Sequence, residues 1–150
     1  MVKARGPFTI LMADDDADDC LLAQEALRES GQRHDLRIVR DGQQLLEYLR
    51  RQGEFQTETP PPWPDLILLD LKMPRKDGRE ALAELKADRR LRSIPIVVFT
   101  TSTARDDIGY CYRMGVNTYL TKPATFRGLV DLMATVCKYW FELAELPIVG

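Results

Sequence analysis

Short apolar runs alternate along the chain with segments whose apolar positions recur at helical spacing. Residues 8–13 (FTILMA) form the first run and end at three aspartates. Over residues 20–27, Leu21, Leu22, Ala23, Ala26 and Leu27 make a helical stripe. Asp16 or Asp18 is placed to cap that helix, and Ser30 with Gly31 to stop it. Residues 36–39 are a brief strand, and 42–51 a helix with Leu45, Leu46 and Leu49 on one face. Residues 53–64, with prolines at 60, 61, 62 and 64, are the clearest loop and the expected site of mobility. Residues 65–70 (DLILLD) are a continuous apolar run bounded by acids, the pattern of a strand buried on both faces. A helix is expected over 78–91, with Ala81, Leu82, Leu85 and Leu91 inward. A strand over 94–100, a helix over 104–114 stopped by Gly115, and a short strand over 118–121 follow. One long helix is expected from Thr125 to about Leu146.

Strand then helix, five times over, predicts an α/β fold: a doubly wound, five-stranded parallel sheet with helices on both faces and right-handed crossovers. The length of 150 residues suits one domain, read as residues 1–150 with 141–150 as a C-terminal extension. The composition, 45% hydrophobic and 29% charged, is that of a globular chain rather than a disordered one. A net charge of −2 supplies no excess of positive charge for nucleic acid or anionic lipid. No apolar run reaches bilayer length, and a cytoplasmic location is expected. Cys20, Cys111 and Cys137 are far apart and read as buried or idle thiols.

In such a sheet, ligands bind beyond the carboxyl ends of the strands. Here the first strand ends in Asp14, Asp15 and Asp16, the third in Asp70, the fourth in Thr100, Thr101 and Ser102, and the fifth in Lys122. An acid after a strand is usually a turn or cap residue, but four strands ending in reactive groups point to a site. Converging carboxylates repel one another, and a hard divalent ion relieves this. Oxygen ligands with no cysteine nearby and a single histidine, His34, predict Mg²⁺ and a phosphoryl ligand rather than zinc. Asp70 is placed to attack phosphorus, with Mg²⁺, the Lys122 ammonium and Thr100 stabilising the transferring oxygens.

These segments resemble the receiver domains of two-component response regulators. Residues 10–19 (ILMADDDADD) look like the family's acidic segment, and 66–78 (LILLDLKMPRKDG) like its phosphoacceptor segment. Residues 95–102 (PIVVFTTS) supply the hydroxyl, and 119–123 (YLTKP) the lysine. The resemblance implies the flavodoxin-like strand order 2-1-3-4-5. It implies that Asp70 is the phosphorylated aspartate, Asp15 a direct Mg²⁺ ligand, Asp14 a ligand acting mostly through water, and the backbone carbonyl of Lys72 a third ligand. Thr100 is then the switch hydroxyl, and Tyr119 the aromatic whose rotamer follows it. Lysine at 72 departs from the smaller polar residue of many relatives, and its side chain is expected over the site.

The stand-alone regulators of phytochrome-type histidine kinases look most similar, on DLKMPRKDG, IPIVVFTTS, the inserted proline-rich loop and the late YWFELAELP (139–147). This implies a partner histidine kinase, phosphoryl transfer to Asp70 and a conformational relay, and a signalling protein rather than an enzyme. The alternative is a haloacid-dehalogenase-like phosphohydrolase, which also uses an aspartate nucleophile. It usually has a second acid where this chain has Lys72, and a cap domain for which there is no room. A flavin-binding module of the same topology is disfavoured because Asp14, Asp15 and Asp16 would repel a flavin phosphate.

Asp16, Asp18 and Asp19 read as helix caps and solvated charges, His34 as a loop or surface residue, and Arg75, Lys76, Arg79, Arg89, Arg90 and Arg92 as a solvated basic face. Trp63 reads as a cover for the core edge. In the last helix Leu129, Val130, Leu132, Met133, Val136, Trp140, Phe141, Leu143 and Leu146, followed by Ile148 and Val149, wrap nearly all round. This predicts a homodimer through the C-terminal helix and tail, the alternative being a tail folded back on its own domain.

Overall fold

A computed structural model describes residues 7–148. The strands are β1 (Thr9–Ala13), β2 (Asp35–Val39), β3 (Leu66–Leu69), β4 (Ile96–Thr100) and β5 (Thr118–Thr121). The helices are α1 (Ala17–Glu29), α2 (Gly42–Arg50), α3 (Gly78–Ala87), α4 (Arg105–Arg113) and α5 (Phe126–Lys138). All strand pairs are parallel, in the order β2-β1-β3-β4-β5.

The three central strands are buried at every position, which is why they read as unbroken apolar runs. Alternate residues divide between two cores. Leu11, Ile67, Leu69, Ile96 and Val98 meet Leu45, Leu49, Leu82 and Leu85 from α2 and α3 on one face. Ile10, Met12, Leu66, Leu68, Val97 and Phe99 meet Ala23, Leu27, Val130 and Met133 from α1 and α5 on the other. The edge strand β5 is only half buried.

Helix ends follow local chemistry. Asp16 caps α1 by accepting from the amides of Asp18 and Asp19. Asp77 and Glu80 form a reciprocal capping box on α3. That helix ends at Ala87, short of the expected Leu91, because Asp88 turns extended; Leu91 is nevertheless buried from the following turn. Of the apolar stripe on α1, Ala23, Ala26 and Leu27 are buried together with Cys20, while Leu21 and Leu22 are exposed.

The proline-rich loop is tied back rather than hanging free. The Tyr48 hydroxyl donates to the Pro62 carbonyl at 2.7 Å, the Arg51 guanidinium donates to the Pro61 carbonyl, and Phe55 and Trp63 pack on the core.

The C-terminal segment also differs from expectation. α5 stops at Lys138, a single π-helical turn covers Tyr139–Leu143, and Ala144 is extended. This wider turn brings Phe141 onto the domain, stacked on Phe8 with ring centroids 4.4 Å apart. Trp140 and Leu146 pack against the same core. Much of the apolar surplus is thus covered internally, while Tyr139, Leu143 and Ile148 stay exposed; Val149 lies outside the described residues. His34 is part of this arrangement. Its Nδ1 accepts from the Phe8 amide at 3.1 Å, its ring meets Phe141 edge-on, and burial lowers its pKa. The three cysteines are buried and free, and burial pushes Cys20 and Cys111 up to about 11 and Cys137 to about 12. No helix among the described residues is long and apolar enough to cross a membrane.

Candidate phosphoacceptor site

The parallel ladder continues one residue beyond the strands, and this assembles the site. Asp14 donates its amide to the Val39 carbonyl at 3.0 Å, Asp70 to Ala13 at 3.0 Å, and Lys122 to Thr100 at 2.8 Å. Asp14, Asp70, Thr100 and Lys122 are therefore fixed to one edge by backbone hydrogen bonds. Asp14, Asp70 and Thr100 are buried, and Asp15 is exposed at the rim.

Carboxylate oxygens of Asp14, Asp15 and Asp70 all lie within 4.8 Å of one another. One oxygen of Asp14 accepts from the Asp16 amide at 2.9 Å, and Asp70 Oδ1 accepts from the Leu71 amide at 2.7 Å. The Lys122 ammonium completes the cluster. It donates to Asp14 at 2.6 Å, Asp19 at 2.7 Å and Asp70 at 3.2 Å. Burial lifts the Asp14 carboxyl above its ordinary pKa, against the pull of Lys122, and the Asp70 charge adds to the lift. Burial alone would lower the Lys122 pKa, but its hydrogen bonds to Asp14 and Asp19 and the charges of Asp70 and Asp14 raise it. One ammonium among these acids leaves an excess of negative charge, and the oxygen-only donor set fits Mg²⁺.

A second network sits beside it. The Tyr119 hydroxyl donates to the Ser102 carbonyl at 2.8 Å, and the Ser102 amide faces the Thr100 hydroxyl oxygen at 3.5 Å. The Ser102 hydroxyl donates to Asp107 at 2.6 Å, and Arg79 reaches the other Asp107 oxygen at 3.0 Å. The Ser102 hydrogen bond, with Arg79 and the Lys72 charge, holds the Asp107 carboxyl below its usual range. Lys72 is exposed and its charge is felt at Asp107, in the first turn of α4.

Two sequence readings change. Asp19 is not merely a solvated charge: in the first turn of α1, it reaches back to Lys122. The cap at Asp16 gave the available signal, since a helix starting there returns residue 19 to the strand end. Nor is the basic face uniformly solvated. Arg75 pairs with Asp41, Lys76 with Glu84, and Arg79 with Asp107 while lying over the Tyr110 ring.

An acidic triad and a lysine at the carboxyl edge of a 2-1-3-4-5 sheet define a phosphoryl-accepting signalling domain. Residues 10–134 match the response regulator receiver domain, and the chain belongs to that family. Response regulator Rcp1 of Synechocystis is 43% identical over 97% of both chains. Its Mn(2+)-bound crystal structure matches with a TM-score of 0.84 over 95% of this chain and 100% of that one. The phosphorylated cyanobacterial phytochrome response regulator RcpA matches at 42% identity and a TM-score of 0.86, over 95% of this chain and 100% of that one. RPA3017, a response regulator in red light signaling of R. palustris, matches at 34% and 0.88, over 95% and 99%. The haloacid-dehalogenase alternative has no support among these relatives, and position 72, where its second acid would stand, is an exposed lysine.

Proposed function

We propose that Asp70 accepts a phosphoryl group from a phosphohistidine on a phytochrome-type histidine kinase, and that the chain acts as a signalling switch rather than an enzyme. The observation that carries this reading is the convergence of Asp14, Asp15 and Asp70 beside the Lys122 ammonium. An Asp70 oxygen attacks phosphorus, the P–N bond breaks, and the donor imidazole leaves with the electron pair. Asp15, Asp14 through water, Asp70 and the Lys72 carbonyl are the proposed holders of Mg²⁺, which when bound neutralises charge on the transferring oxygens. Lys122 and Thr100 bind those oxygens from the protein side. The similarity to phytochrome response regulators supports the choice of kinase.

Thr100 and Tyr119 are the proposed switch, since Ser102 touches both. Phosphorylation draws Thr100 inward, shifts Ser102 and biases the Tyr119 face between two populations. Residues 1–150 are read as one receiver domain with 141–150 as its extension, in the cytoplasm and without nucleic acid. A homodimer is proposed through α5 and the tail. An open apolar groove of about 420 Å³ lined by Val97, Leu120, Leu132, Tyr139 and Trp140 supports that contact.

The test is phosphorylation by acetyl phosphate with Mg²⁺, followed by transfer from candidate histidine kinases. The parent chain is expected to take one phosphoryl group and Asp70→Asn none; continued single-site labelling of the variant overturns the assignment. Sedimentation that finds a monomer at micromolar concentration in both phosphorylation states overturns the dimer.

A further inference from the structure

Lys122 has three N–H donors, and three carboxylates take them. The ammonium is largely shielded from water, with a side-chain exposure of 10%. For it to bind a phosphoryl oxygen on Asp70, one of those hydrogen bonds must be given up. The three partners differ. Asp14 is fully buried and belongs to the metal-binding triad, as does Asp70. Asp19 lies outside that triad, on α1, and is 35% exposed, so it can exchange the ammonium for water. Its contact of 2.7 Å is also shorter than the 3.2 Å contact to Asp70.

We propose that Asp19 is a positioning residue that restrains Lys122. It holds the ammonium toward α1 in the resting protein and competes for it with the developing charge on the phosphoryl oxygens. The restraint slows phosphorylation, because the ammonium stabilises the transition state only when it is delivered to the transferring oxygens. An α1 residue thereby sets the reactivity of a site built from strand ends. The inference rests on the phosphoacceptor reading above.

Phosphorylation of the full chain by acetyl phosphate at saturating Mg²⁺ tests it. Asp19→Asn weakens the acceptor but keeps its shape, and is expected to raise the maximal rate about three- to tenfold. Asp19→Glu keeps the charged restraint and is expected to stay near the parent rate. Asp18→Asn removes the same charge from the same turn, where Asp18 has no contact with Lys122, and controls for general repulsion of the donor. A rate for Asp19→Asn that is unchanged, lower, or matched by Asp18→Asn overturns the inference. A parent chain that takes no phosphoryl group instead overturns the phosphoacceptor reading. Melting curves of the three variants separate a lost fold from a released lysine.

Discussion

The Tyr119 hydroxyl donates to the Ser102 carbonyl at 2.8 Å, joining the edge strand β5 to the loop that follows β4. Ser102 in turn is bound to Asp107 through its own hydroxyl. The aromatic is therefore tied to the loop carrying the proposed switch hydroxyl. Tyr119→Phe removes the donor and leaves the carbonyl to find water. The expected cost is about 1 kcal/mol in urea unfolding. The ring resonances of the variant should also cease to follow the Thr100 and Ser102 amides on phosphorylation. Rings that still move in step with those amides would show that the hydrogen bond is not the link.

Asp14 should lower the stability of the ion-free protein. Its folded pKa lies above the unfolded value, so the folded state holds its proton longer, and stability falls as pH rises through that window. Lys122 has the opposite sign. Its raised folded pKa contributes stability that is complete below the ordinary value of 10.5 and is lost as pH rises through the folded value. Asp14→Asn is therefore expected to raise the melting temperature near neutral pH without Mg²⁺, by the equivalent of about 1–2 kcal/mol. It should also reduce the stabilisation that Mg²⁺ gives the parent. A scan with and without Mg²⁺ checks both. In the parent, Mg²⁺ stabilisation should weaken as acid protonates Asp14.

Gly78 is required for space rather than for backbone freedom. A Cβ there would stand 2.1 Å from the Asp70 carbonyl oxygen and 2.7 Å from the Leu71 Cα. Both are backbone atoms of the phosphoacceptor loop, so they can yield only by moving Asp70. Gly78→Ala is expected to cost more than about 3 kcal/mol and to weaken Mg²⁺ binding. Gly31→Ala is the contrast: φ is +81° with nothing within 4 Å, and the expected cost is about 1–2 kcal/mol from conformation alone. Equal losses in chemical unfolding would refute the steric account.

Phe141 closes the core opened by the end of α5. It is 3% exposed and stacked on Phe8. Phe141→Ala is expected to cost about 3–5 kcal/mol. Leu143→Ala, at an exposed position of the same turn, should change stability little. Calorimetry of the two variants checks whether the tail is an integral part of the domain.

The linear pattern of residues determined most of the fold. Central strands buried on both faces must be apolar throughout, so β1, β3 and β4 were legible as runs, and their chemistry was legible as the polar residues that end them. A parallel ladder brings such ends to one edge, which made Asp14, Asp70, Thr100 and Lys122 readable as neighbours. Tertiary structure alone decided the rest. Whether Asp19 meets water or Lys122 depends on where the packing of α1 on α5 sets its first turn relative to the residue that follows β5, 103 positions further along the chain. Arg79 and Asp107 are likewise paired by the packing of α3 beside α4. The turn at Tyr139–Leu143 widens so that Phe141 reaches Phe8, a contact between the two ends of the described chain. Periodicity reports which side of an element is apolar. It carries no information about which distant partner covers that side, and the partner determines both the restraint on the lysine and the course of the tail.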